Sequence, residues 1–138
     1  MGRLYTVSFS AVAVSAAVDL FEALAASAKP FILHELTVAQ SSDYGDAAAE
    51  GLSILLKKAT GSYTSGSGGS TATPRPHSTN DAAAGPTVET NNTTQASAGS
   101  GALLTMRAEA FNVQAGYQYL PTPEQRMVFL PTEACVVS

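Results

Sequence analysis

Turn-forming residues cut this chain into short lengths, and within those lengths apolar and polar side chains alternate. From Leu4 to Val14, Tyr5, Val7, Phe9 and Ala11 fall on one face and Thr6, Ser8 and Ser10 on the other, the pattern of a half-buried strand. Phe31 to Gln40 repeats it with Ile32, Leu36 and Val38. His34 shares that face and reads as a hydrogen-bonded core or interface residue rather than a ligand. Thr87 to Thr94 is β-branched enough for a polar strand. Ala102 to Glu109 sets Leu104 and Met106 against Thr105 and Arg107. Tyr117–Leu120, Met127–Leu130 and Ala134–Val137 are three more short candidates, punctuated by Pro121, Pro123 and Pro131. Many short strands with turn signals between them predict an all-β fold, a sandwich or a barrel.

Two segments depart from that rhythm. Between Ala16 and Ala26 the apolar residues Val18, Phe21 and Leu24 recur every third position, Ser15 can cap, and Lys29-Pro30 closes the stretch. That spacing predicts one short amphipathic helix packed on the core. Ala47 to Ala59 carries both signals. Its alanines and a capping Asp46 favour helix, whereas Gly51 and the alternation of Leu52, Ile54 and Leu56 favour a strand after an irregular start. The residues lean to strand. Gln40 to Asp46 reads as a turn, and Asp43 and Asp46 as turn residues rather than calcium ligands.

The third departure is Tyr63 to Pro86, rich in glycine, serine and proline. Its Ser65-Gly-Ser-Gly-Gly-Ser70 run lacks the Gly-Lys-Ser/Thr ending of a phosphate loop, and no helical pattern succeeds it. A chain of 138 residues has the size of one domain, 1–138, so the run has no second domain to link. Pro74 and Pro76 stiffen the backbone just beyond it. The expectation is an extended arm over residues 63–86, ordered against a neighbouring subunit. Arg75 is its polar anchor between Pro74 and Pro76, with Tyr63 and His77 packed beside it.

No residue constellation names a reaction. The serines have no nucleophile elbow with a partnered histidine. Two histidines and one cysteine offer no metal-ligand spacing, so no catalytic, cofactor or metal residues are assigned. Seven basic residues against eleven acidic ones give a net charge of −4, which excludes a nucleic-acid-binding stripe. No apolar run reaches the ~20 residues that span a bilayer, and the N-terminus has no signal-peptide core, so the expected site of synthesis is a cytoplasm. Asn91-Asn-Thr-Thr94 matches the glycosylation sequon, which is idle without secretion. Cys135, among Ala134, Val136 and Val137, reads as a buried structural thiol. Only 13% of residues are charged, about half the usual share, which suits a surface that meets other protein copies.

Several stretches taken in order carry a resemblance. They are Tyr5-Thr-Val-Ser-Phe9, Leu20-Phe21, Gln40-Ser-Ser-Asp-Tyr-Gly-Asp46, the Ser65–Ser70 run with Pro74-Arg-Pro76, Asp81-Ala-Ala-Ala-Gly85 and Asn91-Asn-Thr-Thr94. Ala110-Phe-Asn-Val-Gln-Ala-Gly116 and Leu120-Pro-Thr-Pro-Glu124 complete them. Together they resemble small virion proteins encoded among the head genes of tailed bacteriophages, some of them similar to capsid decoration or cement proteins. The likeness implies a jelly-roll-like sandwich or barrel, strand for Leu52–Lys58, and a glycine-rich stretch built into the domain. It implies a non-enzymatic protein on the virion's capsid surface, made in the host cytoplasm. Its partners would be the major capsid protein and other copies of itself, a trimer being one option. Chains of that group usually run on past Ala134–Val137 into a further hairpin, so this sequence is expected to be shorter or a part, and a truncated sheet would have an open edge needing cover. The alternative is a receptor- or carbohydrate-binding module of a head or tail fibre, with Tyr63, Tyr117 and Tyr119 as stacking platforms.

Overall fold

The computed structural model describes residues 2–41 and 51–138. Among them twelve strands form: β1 (Tyr5–Thr6), β2 (Asp19–Leu24), β3 (Phe31–Leu33), β4 (Leu36–Val38), β5 (Gly51–Thr60) and β6 (Ser70–Ala72). They continue with β7 (Arg75–Pro76), β8 (Thr87–Asn92), β9 (Ala102–Asn112), β10 (Tyr117–Tyr119), β11 (Met127–Phe129) and β12 (Ala134–Val137). The chain is all-β, as its alternation predicts. One six-stranded antiparallel sheet runs in the order β6-β8-β2-β12-β5-β9, and three two-stranded ribbons pair β1 with β7, β4 with β10 and β3 with β11. That pairing agrees with a sandwich without tracing a jelly roll.

The central strand explains the layering. All four residues of β12 are buried, which requires cover on both faces of the sheet. On one face Ile54, Leu56, Cys135 and Val137 meet Leu36, Tyr117, Tyr119 and Phe129 from the ribbons. Phe129 stacks on Phe31 with ring centroids 4.8 Å apart, and Lys58 lies over the Phe129 ring while its Nζ donates to the Val128 carbonyl at 2.7 Å. On the other face Ala59, Ala134 and Val136 meet Ala96, with Tyr63 and Leu103 at the margin. Small side chains there let loops rather than strands form the cover. Cys135 is a buried free thiol, and burial pushes its pKa up to about 12.

Three expectations are corrected. The helix over Ala16–Ala26 is strand β2, paired to β8 on one side and β12 on the other. The every-third spacing of Val18, Phe21 and Leu24 is real, but two neighbouring ladders outweigh a weak local helical preference. The long strand over Leu4–Val14 shrinks to Tyr5–Thr6, because its partner is the two-residue β7, flanked and ended by prolines that cannot extend the ladder. Its alternation persists as half-burial of Tyr5, Val7 and Phe9 up to Ala11, whose φ of 57° turns the chain. His34 is exposed, at the break between β3 and β4, not in a core. Ala134–Val137 lies in the middle of the sheet, whose edges are β6 and β9.

Strand for Leu52–Lys58 holds within β5. The turn with Asp43 and Asp46, and the irregular start of the Ala47–Ala59 stretch, lie outside the described residues.

Candidate functional site

Strand β2 carries two carboxylates, Asp19 and Glu22, into the middle of a six-stranded sheet, where both are almost wholly buried. A buried carboxylate is tolerated only when donors satisfy its oxygens. Glu22 Oε1 accepts from the Tyr63 hydroxyl at 2.8 Å and the Ser65 hydroxyl at 2.6 Å. Its Oε2 accepts from the Gly66 backbone N–H at 2.9 Å and from Asn92 Nδ2 at 3.2 Å. Four donors from two segments thus converge on one side chain. The same Asn92 amide donates to Glu89 at 2.9 Å. The Tyr63 hydroxyl is held protonated above its ordinary range, by burial first and then by its bond to Glu22.

This clamp gives the glycine-rich stretch its order and corrects the arm expected over residues 63–86. The stretch lies on its own domain. Thr64 bridges Ser97, Ser67 bridges Thr94, β6 pairs with β8, and β7 pairs with β1. Glycine is required where the loop crosses the strand. A Cβ on Gly69 would run into the Thr90 carbonyl oxygen and lie 2.5 Å from Asn92 Oδ1. Gly68 has φ +85°, a left-handed conformation that favours glycine.

Asp19 performs the matching task one turn of loop later. Its Oδ2 accepts from the Ala96 N–H at 2.6 Å and its Oδ1 from Gln95 Nε2 at 3.5 Å. Burial raises its pKa above the ordinary aspartate value, helped by the charge of Glu22; the Ala96 bond and Lys57 pull the other way. A raised carboxyl pKa means the folded protein holds the proton more tightly than the unfolded chain. Stability present below the unfolded pKa, about 3.9 for aspartate, is lost as pH rises through the folded one. Asp19→Asn keeps an oxygen for Ala96 and removes the titration. Urea midpoints measured between acid and neutral pH will fall with rising pH more steeply in the wild type than in the variant across that window.

The residues singled out in the sequence separate into three places. Tyr63 belongs to the Glu22 clamp. Tyr117 and Tyr119 are buried in β10 against the main core, with exposures of only 8% and 5%, so neither ring is a stacking platform. The Arg107 guanidinium lies 5.3 Å from the Tyr119 ring centroid and pairs with Glu109, lining a small cleft of about 210 Å³. The Arg107 bond holds the Glu109 carboxyl below its usual range, and burial together with Glu109 raises the Tyr117 hydroxyl.

Arg75, Pro76 and His77 stay together at the β1–β7 ribbon. Pro76 faces Tyr5, the Thr6 hydroxyl meets His77 Nε2, and the His77 N–H donates to the Leu4 carbonyl at 2.9 Å. Arg75 is exposed and lines a larger cleft of about 450 Å³ between the N-terminal segment, β6 and β8, with Phe9, Ser70, Thr71 and Asn91 among its walls.

Sequence reasoning missed Asp19 and Glu22. Their signal was available: two carboxylates inside the apolar run Val18-Asp-Leu-Phe-Glu-Ala-Leu24, beyond which the chain offers a loop of bare glycine N–H groups. Among the described residues, no group of three or more His, Cys, Asp or Glu side chains is placed to hold a metal ion, and no helix is long and apolar enough to cross a membrane. Compared with known proteins, this chain matches no family model, no curated protein and no solved structure.

Proposed function

We propose that this chain is a non-enzymatic structural protein of a tailed-phage particle, one that decorates the capsid shell and cements it by contact with the major capsid protein and with other copies of itself. The observation that carries the reading is the sheet edge at β9. It is eleven residues long, exposed through Leu104–Ala108, and contains no proline. Leu104 and Met106 are about half exposed there. An edge of this length and apolarity presents unpaired backbone N–H and C=O groups, which invites another strand unless it is covered. The ladder to β5 skips Met106, so that side chain is free of an in-register neighbour. Leu120, Leu130 and Ile32 add further exposed apolar side chains on the ribbons. A protein with few charges and such an edge is suited to a working life against other protein. The sequence resemblance supports the same reading and supplies the phage setting.

The Glu22 clamp fits it as well. Its carboxylate is saturated by donors, so its role is to hold a loop against the sheet rather than to move a proton.

Mass spectrometry of purified particles tests the proposal, with the copy number measured against the capsid protein. The expected result is a copy number on the scale of the capsid protein. The double variant Leu104→Lys, Met106→Lys should fold as the wild type does yet fail to load onto particles, because charge on an edge strand blocks edge pairing. Absence from the particle, or a handful of copies confined to the tail, would overturn the reading.

A further inference from the structure

The cleft beside Arg75 takes no part in the Glu22 clamp or in the exposed β9 edge. Three features of its walls point the same way. Arg75 carries a guanidinium that no carboxylate among the described residues engages, a state shared by Lys29, Lys57 and Arg126, and of these four it alone lines the cleft. Asn91 sits within β8 at a φ of 54°, a left-handed conformation uncommon outside glycine, and one that concentrates where a structure holds a residue for a purpose. Its Oδ1 is buried and has no donor, as is also true of the neighbouring Asn92 Oδ1. The third feature is chemical variety. Phe9, fixed edge-to-face against Phe21 at 5.1 Å, supplies an apolar wall, and Ser70 and Thr71 supply hydroxyls.

We infer that this cleft binds an acidic sugar, a hexuronate unit, free or at the end of a polysaccharide. The unpaired guanidinium is a fork that matches a planar carboxylate through two parallel N–H···O bonds. A bare carboxylate such as acetate would satisfy Arg75 but could give Asn91 Oδ1 no proton. A sugar hydroxyl can, once rotation about the Asn91 side chain turns that oxygen toward the cleft it lines. The C–H face of the ring then rests on Phe9, and Ser70 and Thr71 meet further hydroxyls. The volume of about 450 Å³ lies within the range of small-ligand sites and accommodates one such ring. The tyrosine platforms of the alternative reading have no part in this site, and the inference is independent of where the protein resides.

The test is a titration of the full chain followed by backbone amide NMR, using glucuronate, its uncharged amide glucuronamide, glucose and acetate. Glucuronate is expected to shift the amides of Gly69, Ser70 and Asn91 in a saturable way. Glucuronamide and glucose should bind about tenfold more weakly for want of the charge-assisted pair, and acetate more weakly still. Arg75→Gln should reduce glucuronate affinity by about tenfold while leaving glucose unchanged. Asn91→Gly keeps the backbone conformation; it should weaken glucuronate and glucose alike by about fivefold and leave acetate untouched. The sugar comparison on the wild type decides the matter even if a variant folds poorly. Equal affinity for glucuronate and glucuronamide, acetate binding as tightly as glucuronate, or shifts confined to residues outside the cleft would each overturn the inference. Binding by a uronate oligomer but not by the monosaccharide would do the same, because it would place recognition beyond one ring.

Discussion

Replacing Glu22 with alanine will destabilise the protein by about 4 kcal/mol, a loss set by leaving several buried donors without their acceptor. The Tyr63 and Ser65 hydroxyls, the Gly66 N–H and Asn92 Nδ2 all point at its two oxygens. Glu22→Gln separates charge from geometry. Glutamine keeps one oxygen for the Tyr63 and Ser65 pair, but its amide nitrogen must face the Gly66 and Asn92 donors. It should cost about half as much as alanine, by the same hydrogen-bond magnitudes. Urea unfolding at neutral pH reads both values, and amide exchange at Gly66 reads the loop directly. A loss near 1 kcal/mol for Glu22→Ala would mean that water replaces the lost partners and that the clamp is no more than a surface contact.

Gly69→Ala will be comparably severe, at about 3 kcal/mol, for a steric reason rather than a polar one. The added methyl would collide with the Thr90 carbonyl oxygen and crowd Asn92 Oδ1, both held by strand β8. Backbone cannot yield as a flexible side chain can. The sheet must therefore open between β6 and β8, where Ser70 pairs with Thr90. The expected signature is selective: loss of exchange protection in residues 67–73, with the core around Phe129 unchanged. Gly51, whose Cβ would meet nothing within 4 Å, is the control, and Gly51→Ala should leave the urea midpoint where it is.

How much of this was legible in the sequence depends on the distance over which each feature is decided. The strands β8, β9, β10, β11 and β12 are local events, visible in alternation and in the prolines between them, and each starts at the residue where the pattern puts it, with β9 running on three residues past Glu109 to Asn112. Strand β2 was not legible by pattern. Its residues repeat with a helical spacing, and what makes them a strand is the pair of neighbours β8 and β12, contributed from far along the chain. The glycine-rich stretch failed as an arm for the same reason. Its composition says that it is inexpensive to leave loose, and only the buried carboxylate of Glu22, more than forty residues earlier, says that it is fastened. Tyr117 and Tyr119 show the limit on the site side, since alternation places them on one face of a strand but cannot say whether that face is core or surface. Arg75, a cation set between two prolines, is exposed, and the cleft it lines needed Phe9 and Asn91 to be brought to it.

The position of β12 also governs the order in which the sheet can assemble. The paired strands β5 and β9, and the group β6, β8 and β2, are two half-sheets that share no ladder with each other. Strand β12 alone joins them, pairing Phe21–Leu24 on one side and Leu56–Ala59 on the other. Its partners on the β2 side lie at the far end of the described chain, so closing that ladder carries the entropy of a very long loop and falls late in folding. Until it closes, each half bears a raw edge, Asp19–Leu24 on one and Gly51–Thr60 on the other. A molecule in which that ladder is still open carries two complementary, unsatisfied edges of the same protein. Exchange of β12 between two molecules would satisfy both, making a swapped dimer the natural by-product of slow closure.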